Sequence, residues 1–352
     1  MMKRIGINMN YTKTILPLML FMAYYCEVKG QDIHFSQYNQ TPLIINPALT
    51  GMFNGNQRVL INYKDQWRSV TTPYTTYALS FDMAILKKKW EKGNLGIGVF
   101  AFSDKAGDLG FRTTQLNISL SAIINLNEKN KLSAGLQGGM AQRSVDYAKI
   151  KTDNQYVNGT YDPTFASGEA SNFTSTSFGD FTAGMVWGYT NTEKNHYTKL
   201  GAAIYHFNKP EQDLYQLVQD RLYSRVAIHG SASVALKSKN WAIVPSFVYL
   251  VQGPTAELYL GSLIRYKLKE GSKYTKLKKE TAISIGCFYR AGDAIIPTVL
   301  FEIASFAVGF SYDVNTSGLK AASSGNGGFE ISLRFVNPNP FKNDKYIYRS
   351  LY

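Results

Sequence analysis

Between residues 112 and 126 the chain changes polarity at almost every position. Leu116, Ile118, Leu120, Ala122, Ile124 and Leu126 share one face, and Thr113, Gln115, Asn117, Ser119, Ser121 and Asn125 share the other. A period of two over that length marks a strand with different media on its two sides. The same code returns near the C-terminus, where Phe306, Val308, Phe310 and Tyr312 alternate with Ala307, Gly309, Ser311 and Asp313. Phe329, Ile331, Leu333 and Phe335 alternate there with Glu330, Ser332 and Arg334, and Leu258, Leu260, Ile264 and Tyr266 stand opposite Glu257, Tyr259 and Arg265.

A soluble β-sandwich could produce any one of these strands. Repetition along the whole chain is harder for it to explain. The pattern predicts fourteen strands, near 57–66, 75–84, 94–103, 112–126, 131–142, 180–190, 198–207, 223–236, 241–251, 256–267, 280–290, 295–303, 304–313 and 328–336. An even number of strands of about ten residues is the signature of a closed transmembrane β-barrel, in which closure removes the unpaired edges that hydrocarbon does not tolerate. The expected fold class is therefore all-β, an antiparallel barrel over residues 57–336 followed by a C-terminal tail over 337–352 on the periplasmic side.

The connections alternate in kind. The stretches Leu86 to Gly93, Asn127 to Lys131, Asn191 to Lys199, Lys237 to Asn240 and Leu268 to Glu280 total 39 residues and hold 15 Lys or Arg. The other set includes 143–179, 208–222 and the Gly/Ser-rich 314–327, which are longer and carry few basic residues. Outer-membrane barrels pair short periplasmic turns with longer outer loops, so the basic side is expected to face the periplasm. Its lysines either solubilise tight turns or dock a periplasmic partner.

The N-terminus departs from this pattern. Lys3, Arg4 and Lys13 precede an apolar run from Ile15 to Tyr25, with Val28 and Gly30 following, the order of a secretory signal peptide. Cleavage is expected after Gly30, leaving 1–30 as signal peptide and a mature start at Gln31. The alternative, a single membrane anchor, is disfavoured by the shortness of the run. Cys26 follows bulky Tyr24 and Tyr25, which disfavours a lipid-modified cysteine, and its removal leaves Cys287 without an intrachain partner. The segment 31–56 has Pro42 and Pro47, which exclude a regular helix or central strand. Phe35, Tyr38, Leu43, Ile44 and Ile45 still require burial, so the segment is expected to pack inside the barrel or across its periplasmic mouth.

Composition agrees with this reading. Aromatic residues make up 14% and charged residues only 18% of the chain, a mixture suited to strands at a membrane interface. The formal net charge of +13 falls to about +10 once 1–30 is removed. The export signal and the Lys-rich turns explain that charge better than nucleic acid does.

Candidate chemistry is sparse. None of the four histidines, His34, His196, His206 and His229, has metal-ligand spacing. A rim hydrolase could be assembled from His206, Ser224 and His229, although polar residues at strand ends are more often ordinary rim residues. The run Gly93 to Gly98, G-N-L-G-I-G, lacks the lysine and helix of a phosphate loop and marks a bend or tight packing instead. Arg58, Lys64, Asp82, Glu257, Arg265, Asp313, Glu330 and Arg334 fall on the lumen face, where near-balance of charge suggests a neutralised plug.

The blocks Gln31-Asp32-x-His34-Phe35-Ser36-Gln37, Asn46-Pro47-Ala48-x-Thr50-Gly51 and Asn62-Tyr63 with Gln66-Trp67 resemble the PorP/SprF family of type IX secretion system membrane proteins of the Bacteroidetes. Gly179-Asp180-Phe181 with Gly184, Tyr205-His206 with Asn208 and Pro210, Gln252-Gly253, Tyr289-Arg290 with Asp293-Ala294, and Gly309 to Asp313 continue the likeness in order, while 143–179 is only loosely similar. The resemblance implies a non-enzymatic outer-membrane accessory that assists secretion or surface attachment of large adhesin-like clients, including those used in gliding. Its implied partners are that client, periplasmic or outer-membrane components of the secretion machine, and the lipid bilayer, with no nucleic acid and no cofactor. His34, Phe35, Asn46, Pro47, Trp67, His206, Arg290, Asp293 and Asp313, which fall in these blocks, are the candidate partner-binding residues. A passive porin or solute channel is the competing expectation.

Overall fold

The computed structural model describes residues 32–337 except 88–89, 91, 147–148, 158, 167, 169–174, 213–219, 237–239, 270–279 and 319. The signal peptide expected over 1–30 and the tail expected beyond Asn337 lie outside the described residues. Parts of the Lys-rich turns and of the connections 143–179 and 208–222 do so too.

The strands β1 (Gln57–Gln66), β2 (Tyr74–Ile85), β3 (Gly93–Ala106), β4 (Phe111–Asn125) and β5 (Asn130–Ser144) form the first antiparallel run. A small hairpin, β6 (Tyr156–Val157) with β7 (Thr160–Tyr161), stands apart in the connection that follows. The wall resumes with β8 (Thr176–Asn191), β9 (His196–Tyr205), β10 (Arg225–Ala235), β11 (Trp241–Gln252) and β12 (Thr255–Lys269). It ends with β13 (Thr281–Arg290), β14 (Ala294–Ile303), β15 (Phe306–Asn315) and β16 (Asn326–Asn337). β16 pairs antiparallel with β1, Gln57 opposite Asn337, and the fourteen-stranded barrel is closed.

All fourteen expected strands are present, and several run longer than their alternation suggested. β8 begins at Thr176 rather than near 180, because its pairing with β5 extends to Arg143↔Thr176. β9 stops at Tyr205 rather than 207, because His206 takes a left-handed φ of 51° and leaves the ladder.

Burial follows the pleat. Leu116, Ile118 and Leu120 are 56%, 57% and 55% exposed, whereas Ser119 between them is 0% exposed. This inverts the soluble rule, as expected of a barrel whose outer face meets lipid. Outward aromatics gather at both ends of the wall. Trp187 stacks with Tyr189, Trp241 packs on Tyr266 and Phe306 on Phe335 at the end where β1 begins, termed here the proximal mouth. Tyr63 packs on Tyr77 and Phe329, and Phe181 on Phe207, at the opposite, distal mouth. Two such girdles mark the two membrane interfaces.

Candidate functional site

The lumen is filled by the chain that precedes β1. Pro42 and Pro47 each open a single helical turn, Pro42–Ile45 and Pro47–Leu49, where a missing N–H costs nothing. Between them Asn46 is extended and its Oδ1 accepts the Ala48 amide at 2.9 Å. These kinked turns, with Tyr38–Gln40 before them, keep the segment compact enough to fit between the walls.

Its contacts advance steadily from one mouth to the other. Near the distal mouth Lys64 Nζ donates to the His34 carbonyl at 2.8 Å. At mid-depth Tyr38 Oη and Asn39 Nδ2 each lie 2.9 Å from Ser246 Oγ. Further on, Asn46 Nδ2 reaches the carbonyls of Met185 and Ala202 at 3.0 Å and His229 Nε2 at 3.1 Å. Near the proximal mouth Ser133 Oγ donates to the Ala48 carbonyl and Ser121 Oγ to that of Thr50, both at 2.6 Å. The Gly51 amide donates to Asp82 at 2.8 Å. A segment that touches strands all around a closed wall occupies its interior.

Wall glycines make the approach possible. A Cβ on Gly96 would lie 2.2 Å from the Thr50 carbonyl oxygen, one on Gly135 2.4 Å from the Ala48 nitrogen, and one on Gly184 2.1 Å from Asn46 Oδ1. Gly96 belongs to the G-N-L-G-I-G run, whose meaning is therefore close packing of backbone on backbone.

Five candidate residues converge at the distal end. Arg290 donates to Asp313 at 2.8 Å and to Asp293 at 2.5 Å. Asp313 also accepts the Ser36 hydroxyl at 2.8 Å, and Glu330 accepts the backbone amides of Ser36 at 2.7 Å and Gln37 at 3.1 Å. His34 Nδ1 lies 3.4 Å from Glu257. Burial, followed by the charges of Lys64, Arg290 and Arg225, holds the His34 imidazole well below its usual range, so the ring is neutral near pH 7. Phe35 is buried beside Leu43, Ile44, Ala78, Phe100 and Phe102.

The other four candidates lie outside this network, Trp67 and His206 still at the distal rim. Asn46 and Pro47 lie at mid-lumen. His206 Nδ1 is 2.7 Å from Asp180, whose second oxygen accepts from Gln115 at 2.9 Å. Ser224 donates to the His206 carbonyl at 3.1 Å rather than to its ring, and His229 belongs to Asn46, so these three do not form a nucleophile–base pair. Trp67 caps β1 with φ 59°, its amide on the Gly327 carbonyl at 2.7 Å and its ring edge-on to Tyr74.

The lumen charges also pair. Arg58 makes two bonds to Asp82, at 2.9 and 2.7 Å, and Arg265 and Arg334 share Glu302 at 2.7 and 2.8 Å. Sequence reasoning missed Ser36 and Gln37, whose amides bind Glu330, and Tyr259, whose hydroxyl donates to Glu257 at 3.3 Å and lies 3.5 Å from Arg290, as hubs of the distal network. The signal available for the plug's path was the set of inward-facing glycines.

Among solved structures, the toluene transporter TbuX of Ralstonia pickettii superposes with a TM-score of 0.48 at 11% identity, covering 85% of this chain and 93% of that one. The toluene transporter TodX of Pseudomonas putida gives 0.47 at 10% identity, covering 86% and 93%. BamA from Haemophilus ducreyi lacking POTRA domains 1–3 gives 0.41 at 12% identity, covering 80% and 70%. No curated protein matches the chain. The family model described as type IX secretion system membrane protein PorP/SprF matches residues 27–335, nearly the full length and all of the barrel but its last residues. With the membrane barrel and its matched plug already established by the chain's own geometry, this chain belongs to the PorP/SprF family of type IX secretion system membrane proteins.

Proposed function

We propose that the protein is a non-conducting outer-membrane accessory of type IX secretion, which helps large adhesin-like proteins reach or remain on the cell surface. In this reading the distal loops face outward and hold the client, while the proximal Lys-rich turns meet periplasmic components. The candidate residues at the distal mouth then act mainly by fixing the plug and, through it, the shape of the outer rim.

The observation that carries the proposal is the filled lumen. A solute channel needs a continuous aqueous path, whereas here side chains and backbone of the segment before β1 are hydrogen-bonded to the wall at successive depths. Deleting the gene is expected to remove one or a few surface proteins while general secretion continues, read by surface proteomics. An unchanged surface proteome would overturn the accessory role. In planar bilayers the purified protein is expected to be silent, and large steady conductance would return it to the channel class.

A further inference from the structure

The outward face of the wall ends differently on its two sides. On β4 the outward residues from Ile124 to Leu116 are apolar, and at a strand tilt of about 40° this run covers about 21 Å along the membrane normal, close to the apolar band of an outer-membrane barrel. Beyond it the same face turns polar. Thr114 and Arg112 follow Leu116 on β4, and Ser103 and Lys105 follow Ala101 on β3. Lys105 lies directly opposite Arg112 in the ladder, and Ser103 opposite Thr114 with the two hydroxyls 3.4 Å apart. Across the barrel the distal outward positions of β12 to β15 carry Leu258, Tyr289, Ile295 and Val314, with no charge among them.

Like charges directly opposite each other on neighbouring strands are unfavourable, and nothing in the chain relieves this pair. Neither the Lys105 nor the Arg112 side chain has a hydrogen bond or ion pair among the described residues. Other distal cations do: Arg68 is 2.6 Å from Asp65, Arg221 2.7 Å from Glu211 and Lys149 3.7 Å from Asp146. The carboxylates nearest to Lys105 in sequence are engaged as well, Asp104 with the inward Thr76 and Asp108 with Thr71 and Thr72. An anion from outside the chain would remove the repulsion.

Height selects the kind of anion. From Leu116 to Arg112 the strand climbs about 10 Å along the normal, so two long cationic side chains stand just above the apolar band and reach back into the headgroup layer. We propose that the outward face of β3 and β4 at the distal end is a lipid site, in which Lys105 and Arg112 clamp the phosphate of an anionic headgroup. Its acyl chains would lie on Ala101 and Leu116, which are opposite each other in the ladder, and the Ser103 and Thr114 hydroxyls would meet the headgroup between chains and phosphate. A protein client fits the pair less well, because both side chains stand on the lipid-facing side of the wall and not on the rim above it. The leaflet is the outer one in the orientation proposed above, and only this assignment rests on that reading.

The test uses the purified, processed full-length barrel in zwitterionic detergent, with native mass spectrometry counting retained phosphatidic acid and phosphatidylcholine of the same acyl chains. Phosphatidic acid is expected to be held about tenfold or more tightly than phosphatidylcholine, the scale of one charge-assisted hydrogen bond. Lys105→Gln together with Arg112→Gln should abolish that preference. Arg68→Gln, which removes a cation that already has its carboxylate, should leave it unchanged. Heat-modifiable migration on gels checks that each variant is folded. Equal retention of the two lipids, or an undiminished preference in the folded double variant, overturns the site. Displacement of the lipid by equimolar inorganic phosphate assigns a free-anion site and overturns the headgroup. Binding of acetyl-Glu-Glu that depends on Lys105 and Arg112, without lipid retention, makes the face a protein-docking surface and overturns it as well. Retention in micelles involves neither client nor membrane orientation, so failure here is separable from failure of the surface-protein phenotype.

Discussion

The two halves of the lumen hold the plug through different charged groups. In the distal half Arg290, Asp293, Asp313, Glu330 and the amides of Ser36 and Gln37 satisfy one another within a closed network. In the proximal half Arg58 pairs with Asp82 and Arg265 and Arg334 with Glu302 across wall strands, while Lys199 and Lys87 donate to the plug carbonyls of Met52 and Gly55. A buried network is costly to break one member at a time, because the remaining charge is stranded. A lysine on a backbone carbonyl can be replaced by a neutral donor without leaving an opposite charge behind. The distal ion network therefore fixes the plug more firmly than the proximal lysines do.

The most severe way to break this comparison is to delete residues 31–50. The barrel is expected to lose its heat-modifiable fold or to become conducting, and an intact, silent barrel would show that the plug is dispensable. Next in size, Asp313→Ala removes the buried carboxylate shared by Arg290 and the Ser36 hydroxyl, leaving Arg290 with Asp293 alone, and is expected to cost about 3 kcal/mol in a denaturant unfolding series. Lys199→Gln should shift the same measurement by about 1 kcal/mol, since a glutamine amide can in part replace its hydrogen bond to the Met52 carbonyl. A cost for Lys199 equal to that for Asp313 would erase the distinction between the halves.

A smaller effect is expected at the glycines. Gly184→Ala drives a Cβ to within 2.1 Å of Asn46 Oδ1 and should cost about 1–3 kcal/mol. Gly179→Ala, whose nearest neighbour would be 3.9 Å away, should be close to neutral. Matching costs at the two sites would mean that the plug does not press on the wall.

The mildest test is pH. Burial first, and then the charge of Lys131, brings the Lys87 ammonium down to about 8. Its folded value lies below its unfolded one, near 10.4, so folding penalises the charged form. That penalty is complete below about pH 8 and fades as pH rises through the window up to the unfolded value. Midpoints of unfolding should therefore rise slightly from pH 7 to pH 10, and Lys87→Gln should flatten the rise.

The wall was legible because lipid and lumen impose a strict two-residue code, so that Leu116, Ile118 and Leu120 announced their face without any tertiary information. Strand ends were less legible, since pairing partners rather than alternation decide them, as at Thr176, and a backbone turn such as that at His206 leaves no mark in hydropathy. Charged lumen positions such as Arg58, Glu330 and Arg334 could be read from parity alone. Their partners could not, because Ser36 and Glu330 meet across 294 positions of sequence. That Lys87, Lys131 and Lys199 share one mouth was legible in the alternation of basic and neutral connections, but their contacts with the plug were not.

One consequence of the plug concerns assembly. The segment leads into β1 at the proximal mouth, yet its earlier residues lie at the distal one, so the chain runs the length of the interior before the wall begins. Once the seam from Gln57↔Asn337 to Gln66↔Gly328 has zipped, that thread has no side entrance left. The cylinder therefore either closes around this strand of chain or draws it in end-on, and in both cases peg and stave ring are joined by the one link at Gln57.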